Sequence, residues 1–162
     1  MSVPHTASEP LNIRGMRVVE HRFTVPLDHS VPDGEQINVF AREYSDPEVA
    51  AAGDLPWLLY LQGGPGGKGN RLLQFGGWTK AASRHFRILM LDQRGTGLSP
   101  PANRQTLAVR GDAEAQAEYL THFRADSIVA DAELIRSALG SGPWSIYGQS
   151  YGGFCALTYL SF

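Results

Sequence analysis

An α/β fold built on a parallel sheet is predicted by three features of the sequence. First, "PWLLYL" (56–61) and "FRILML" (86–91) are short, continuously apolar runs, and "WSIY" (144–147) is a weaker third. Runs of this kind are strands buried on both faces. Second, helical spacing separates them, so the strands are joined by crossover connections. Third, each run leads directly into a glycine-bearing loop. That places three such loops at the carboxyl ends of the strands, where open α/β sheets bind their ligands.

Residues 1–14 open the chain with "MSVPHTASEPLN", which is polar and lacks the apolar core of a secretory signal. They are expected to form a flexible arm, with 15–162 as one domain. "RVVEHRFTVPL" alternates, so that Val19, His21, Phe23, Val25 and Leu27 share one face. In "INVFAREY" Ile37, Val39 and Ala41 do the same. The turn-rich "DHSVPDGEQ" lies between, which predicts an antiparallel hairpin. His21 and His29 fall within it and are read as an ordinary strand and turn histidine. "GWTKAASRHF" fits a short helix between the first two apolar runs. Across 112–139 the spacing is helical, with Ile128, Ala132, Ile135 and Leu139 in one stripe, and Gly140, Gly142 and Pro143 end it.

Composition narrows the function classes. With 162 residues, 43% of them apolar and 19% charged, the chain is long enough for one globular domain with a real core. A formal net charge of −2 gives no electrostatic case for nucleic acid or an anionic membrane. No apolar run approaches the ~20 residues of a membrane span. The single Cys155 excludes an intrachain disulfide and a cysteine-only metal site. It is read as a small buried hydrophobe. A cytoplasmic location is expected.

The first loop, "LQGGPGGKGN" (61–70), is stripped of side-chain bulk and can aim N–H groups at an anion. Lys68 is followed by Gly69, so it departs from the nucleotide-loop pattern. A plain turn does not account for so many glycines. The remaining reading is an oxyanion loop like the HGGG-type loops of esterases, with Gly63 and Gly64 in it. In the second, "LDQRGTGLSPP" (91–101), Asp92 and Arg94 could pair, and the loop is expected to shape a site and not to react. The third, "YGQSYGG" (147–153), carries G-x-S-x-G spacing after a strand and before a helix. At such an elbow the serine backbone is strained, and its neighbours two residues away must be small, hence Gly148 and Gly152. Ser150 is then the candidate nucleophile, and the Tyr151 N–H at the helix start a candidate oxyanion donor.

These loops carry a family resemblance. "QGGPGG" resembles the H-G-G-P-G loop of proline iminopeptidases, which have the α/β-hydrolase fold. "DQRGTGLS" is similar to their D-Q-R-G-x-G-x-S segment. "GQSYGG" is similar to the nucleophile elbow of the larger members, as are "VPLDHS" and "FRADSIVADAELIR" to other segments of that group. Gln62 departs from the histidine that many members carry there. The resemblance implies that Ser150 attacks the carbonyl of an N-terminal residue, proline above all, with the oxyanion held by Tyr151 and the Gly63–Gly64 stretch. It implies a catalytic aspartate and histidine after the serine in chain order, and acidic residues, largely from a cap, that bind the substrate's free α-amino group. All five histidines, His5, His21, His29, His85 and His122, precede Ser150. The chain is therefore expected to be the N-terminal part of a longer α/β hydrolase, with cap and C-terminal part absent and "WSIY" central in the complete sheet. A peptide with a free N-terminus is the expected partner, and a second segment carrying the rest of the hydrolase a further one. No cofactor or metal is expected. Two other readings stay open: an α/β hydrolase acting on esters, lactones or other peptide N-termini, and a non-catalytic binding module that keeps half the fold.

Overall fold

The computed structural model describes residues 3–161. Two short strands, β1 (His5–Ala7) and β2 (Leu11–Ile13), precede the long hairpin of β3 (Met16–Pro26) and β4 (Gln36–Ser45). Strands β5 (Trp57–Leu61), β6 (Arg87–Asp92) and β7 (Ser145–Gly148) complete the seven-stranded sheet. Its order is β1-β3-β4-β6-β5-β7, with β2 also on β3. The hairpin is antiparallel, with Phe23 opposite Val39, and β4 runs antiparallel to β6. Strand β5 is parallel to both β6 and β7.

Burial follows from the sequence pattern. All of β5 is buried, and its alternation sorts side chains onto two faces. Leu59 and Leu61 join Phe23, Val39, Leu89 and Leu91 in a core covered by the later helices. Leu58 and Tyr60 join Met16, Tyr44, Ile88 and Met90 in a second core, against Trp78 and Phe86. Each fully buried Leu or Ile contributes about 1.5–3 kcal/mol.

The helices are α1 (Pro47–Ala52), α2 (Trp78–Ala82), α3 (Arg104–Ala108), α4 (Ala113–Thr121), α5 (Ala125–Ala138) and α6 (Tyr151–Tyr159). The stripe of Ile128, Ala132 and Ile135 packs into the first core as predicted. The helix expected across 112–139 is two helices. The break has a tertiary cause: Arg94 Nη1 donates to the His122 carbonyl at 2.7 Å. A further difference is α1, whose Asp46 side chain caps the Glu48 and Val49 N–H groups ahead of Pro47.

The stretch expected as a flexible arm is paired over much of its length. His5 lies opposite Phe23 and Leu11 opposite Val18, both antiparallel on β3. The β3 edge offers a row of unpaired backbone groups that a polar segment can satisfy as well as an apolar one. His5 adds a hydrogen bond between its Nε2 and His21 Nδ1 at 2.9 Å and a ring stack on Phe23 at 4.4 Å. Met1 and Ser2 of that stretch, like Phe162 at the other end, lie outside the described residues.

Candidate active site

Between the end of β7 at Gly148 and the start of α6 at Tyr151 the chain turns in two residues, Gln149 and Ser150. Ser150 has φ +53° and ψ −120°, in the left-handed half of the map. A non-glycine residue there costs on the order of 1–3 kcal/mol unless its surroundings impose it. Here they do. The Gln149 N–H donates to the Leu61 carbonyl at 3.2 Å, and the Gly153 and Phe154 N–H groups both donate to the Ser150 carbonyl, at 2.8 and 3.2 Å. The two flanking glycines are steric necessities. A Cβ on Gly148 would overlap the Gly152 carbonyl, and one on Gly152 would overlap the Leu61 carbonyl. The turn leaves Ser150 exposed at the carboxyl end of the sheet.

The glycine loop after β5 lies directly beside this serine. A Cβ on Gly63 would come within 2.9 Å of the Ser150 Cβ and 3.5 Å of its Oγ. Gly64 has φ +129°, and a Cβ there would meet the Gly66 and Gly67 nitrogens at 2.8 and 2.9 Å. Among the described residues, the Gly64 and Tyr151 N–H groups have no protein partner. The Gly63 N–H does: it donates to Gln62 Oε1 at 2.9 Å. Of the two glycines singled out in the sequence, Gly64 therefore keeps its donor free, and Gly63 supplies close approach. Tyr151 opens α6, so its N–H also carries the positive end of that helix's dipole. An exposed hydroxyl with an unengaged backbone donor on the next residue, and a second on the residue after the glycine that touches it, is an arrangement suited to stabilising an oxyanion formed on that hydroxyl's target.

Asp92 and Arg94 do not pair with each other. The strand ends at Asp92, so residues two apart no longer share a face, and each finds a distant partner. The fully buried Asp92 carboxylate accepts from the Gly69 N–H at 2.8 Å, the Leu98 N–H at 2.8 Å and both Arg71 terminal nitrogens at 3.0 and 2.5 Å. It thereby ties the first glycine loop to the second. Arg94 is buried as well. It forms a bidentate pair with Asp131 of α5, at 2.7 and 2.5 Å, and donates to the Pro26 and Leu27 carbonyls.

A polar bracket that the sequence did not reveal lies under the elbow. The Tyr60 hydroxyl is 3.0 Å from Oε1 of both Gln62 and Gln149, and donates its proton between them. Burial, with Tyr147 nearby, pushes the Tyr60 phenol up, so it stays a donor at neutral pH. Gln62 Nε2 donates to Asn70 Oδ1 at 2.8 Å. The only trace of this in the sequence is the amide at 62, since Tyr60 reads there simply as a strand residue.

The histidines are occupied elsewhere. His21 bonds Glu43 at 3.1 Å as well as His5, and His29 bonds Asp131 at 3.0 Å. His85 follows α2 and His122 ends α4. Among the described residues none hydrogen-bonds Ser150. Cys155 on α6 is fully buried, and burial pushes its thiol up to about 11. It packs and does not react, as its place in the sequence suggests.

Residues 56–162 match the family described as alpha/beta hydrolase fold. Over 158 residues the chain is 53% identical to a proline iminopeptidase of Aeromonas sobria, covering 95% of this chain and 37% of that protein. A proline iminopeptidase of Aspergillus aculeatus is 43% identical over 157 residues, 90% of this chain and 34% of that protein. The chain thus spans little more than a third of the length of these relatives. Among solved structures, a proline iminopeptidase-related protein of Thermus thermophilus aligns with a TM-score of 0.53 at 22% identity, over 88% of this chain and 40% of that one, a likeness of fold.

Proposed function

The chain belongs to the alpha/beta hydrolase fold family, and from that premise we propose that it carries the nucleophile and oxyanion hole of a serine aminopeptidase that releases N-terminal proline. One observation carries the chemical part. The strained Ser150 elbow and the glycine loop meet so closely that only a glycine fits at 63, and the N–H groups of the next residues, Gly64 and Tyr151, have no partner among the described residues. The substrate class rests on the likeness to the two proline iminopeptidases.

In this reading Ser150 Oγ adds to the carbonyl of the N-terminal residue as its proton passes to a base. The oxyanion that forms is held by the Gly64 and Tyr151 N–H groups. Collapse breaks the peptide bond, the departing amine takes the proton, and water then hydrolyses the acyl-enzyme by the same route. No histidine among the described residues reaches Ser150, so the base and its orienting carboxylate come from other residues of the full-length protein. The substrate's free α-amino group is recognised there as well.

The test uses the full-length protein against a panel of fluorogenic proline amides and short esters. Proline amides should be cleaved preferentially. Ser150→Ala should lower kcat by about 10⁶ without unfolding the protein. A variant that keeps a tenth of the activity would remove Ser150 from the nucleophile role. Preference for esters would replace the substrate class and leave the elbow chemistry standing.

A further inference from the structure

We propose that Gln62 is a positioning residue: its carboxamide fixes the backbone of the glycine loop so that the Gly64 N–H, and not the Gly63 N–H, faces the serine. This rests on the oxyanion role proposed above.

The inference comes from how two successive peptide planes are held. In the 62–63 plane, the Gln62 carbonyl accepts from Gln93 Nε2 at 3.1 Å. The Gly63 N–H of the same plane donates to Gln62 Oε1 at 2.9 Å. That plane is therefore tied at both ends. In the 63–64 plane, the Gly63 carbonyl accepts from the Gly67 N–H at 3.2 Å. A trans peptide directs its N–H opposite to its C=O, so fixing that carbonyl aims the Gly64 N–H the other way.

Glycine alone cannot hold this arrangement. It visits left-handed and extended conformations about equally, and glycines 63, 64, 66 and 67 have no side chains to tether them. Asp92 anchors the loop's far end at the Gly69 N–H, and the carboxamide tethers its start. Its Oε1 engages Gly63 and Tyr60, and its Nε2 reaches Asn70 at the loop's far end. Tyr60 also engages Gln149, the residue before Ser150. One side chain thus links the start of the loop, its end and the elbow.

The bracket predicts an order among variants of the full-length protein, with kcat measured per active serine by titration with an organophosphate. Gln62→Met keeps the length but removes both polar functions, and should lower kcat roughly 10- to 100-fold, with KM changed far less. Gln62→Glu keeps the oxygen that accepts from Gly63 and Tyr60 but gives up the donor to Asn70 and adds a negative charge, so it should recover only part of the lost kcat. Tyr60→Phe should show a smaller loss, and adding it to Gln62→Met should cost little more, because the two act through one bracket. If Gln62→Met does not fold, Tyr60→Phe decides: wild-type kcat in that variant overturns the proposal. So does a Gln62→Met enzyme with wild-type kcat per active serine, a loss confined to KM, or an equal loss in Gln62→Glu. A wild-type protein with no hydrolase activity, or one indifferent to Ser150→Ala, would instead defeat the parent reading.

Discussion

At the scale of single residues, the site is made by what is missing as much as by what is present. Gly63 has no Cβ, and that absence lets the loop touch the serine. Gly63→Ala would place a methyl 2.9 Å from the Ser150 Cβ and from the Gln149 carbonyl, so loop and elbow must separate. If the loop holds the oxyanion as proposed, kcat of the full-length protein should fall about 100-fold, since a displaced donor loses most of its transition-state stabilisation. A rise in KM alone would make the loop a binding element. Cys155 offers a pH test of the packing. Burial raises its pKa to about 11, so the thiol keeps its proton well past the usual thiol range. Its alkylation in the native protein should be very slow at pH 8. It should still be climbing at about pH 10, where an ordinary thiol has levelled off. A plateau near pH ~9 would mean that the α6 packing is looser than described. The serine and its spacing glycines were legible from the sequence because sterics at an elbow act over two residues. The Gln62 bracket was not, because its partners at 70 and 149 are near it only in the fold.

At the scale of elements, Arg94 joins three of them. Its guanidinium is fully buried and binds Asp131 of α5, the end of the β3 strand region at Pro26 and Leu27, and the α4 terminus at His122. Removing one partner leaves a buried charge uncompensated. Asp131→Ala should therefore destabilise the protein by about 3–5 kcal/mol, read as a lowered thermal midpoint of the full-length protein. A change below about 1 kcal/mol would show that the pair does not organise these elements. The same arginine accounts for two helices where the pattern across 112–139 suggests one. Neither glycine nor proline marks the break at 122–124, and a guanidinium brought in from residue 94 takes the carbonyl there. The hairpin and the apolar strands, by contrast, were readable because their periodicity is local.

At the scale of the molecule, the sheet is unevenly finished. Strand β7 pairs with β5, and among the described residues nothing pairs with its other edge. Tyr147 of β7 is exposed, as are Phe154, Leu157 and Leu160 in and just after α6, Leu160 to 80%. An apolar strand edge next to apolar helix residues is a template for association. Residues 1–162 expressed alone should therefore self-associate, and should not turn over a proline amide, since no base lies beside Ser150 among the described residues. Sedimentation velocity and a fluorogenic assay check both. A monomer that cleaves the amide would place a base within these residues.

The sequence by itself determined the α/β class, the hairpin, the three loops at the strand ends and the serine with its two glycines. Those features depend on periodicity or on clashes between residues a few positions apart. Only the tertiary structure decided which donors stay free, that Asp92 joins two loops and Arg94 pairs with Asp131, and that residues 5–7 and 11–13 pair along β3. Each of these is a hydrogen-bonding choice among groups far apart in the chain. A buried polar group takes whichever partner the packing brings within about 3 Å, and nothing in the order of residues states which that is.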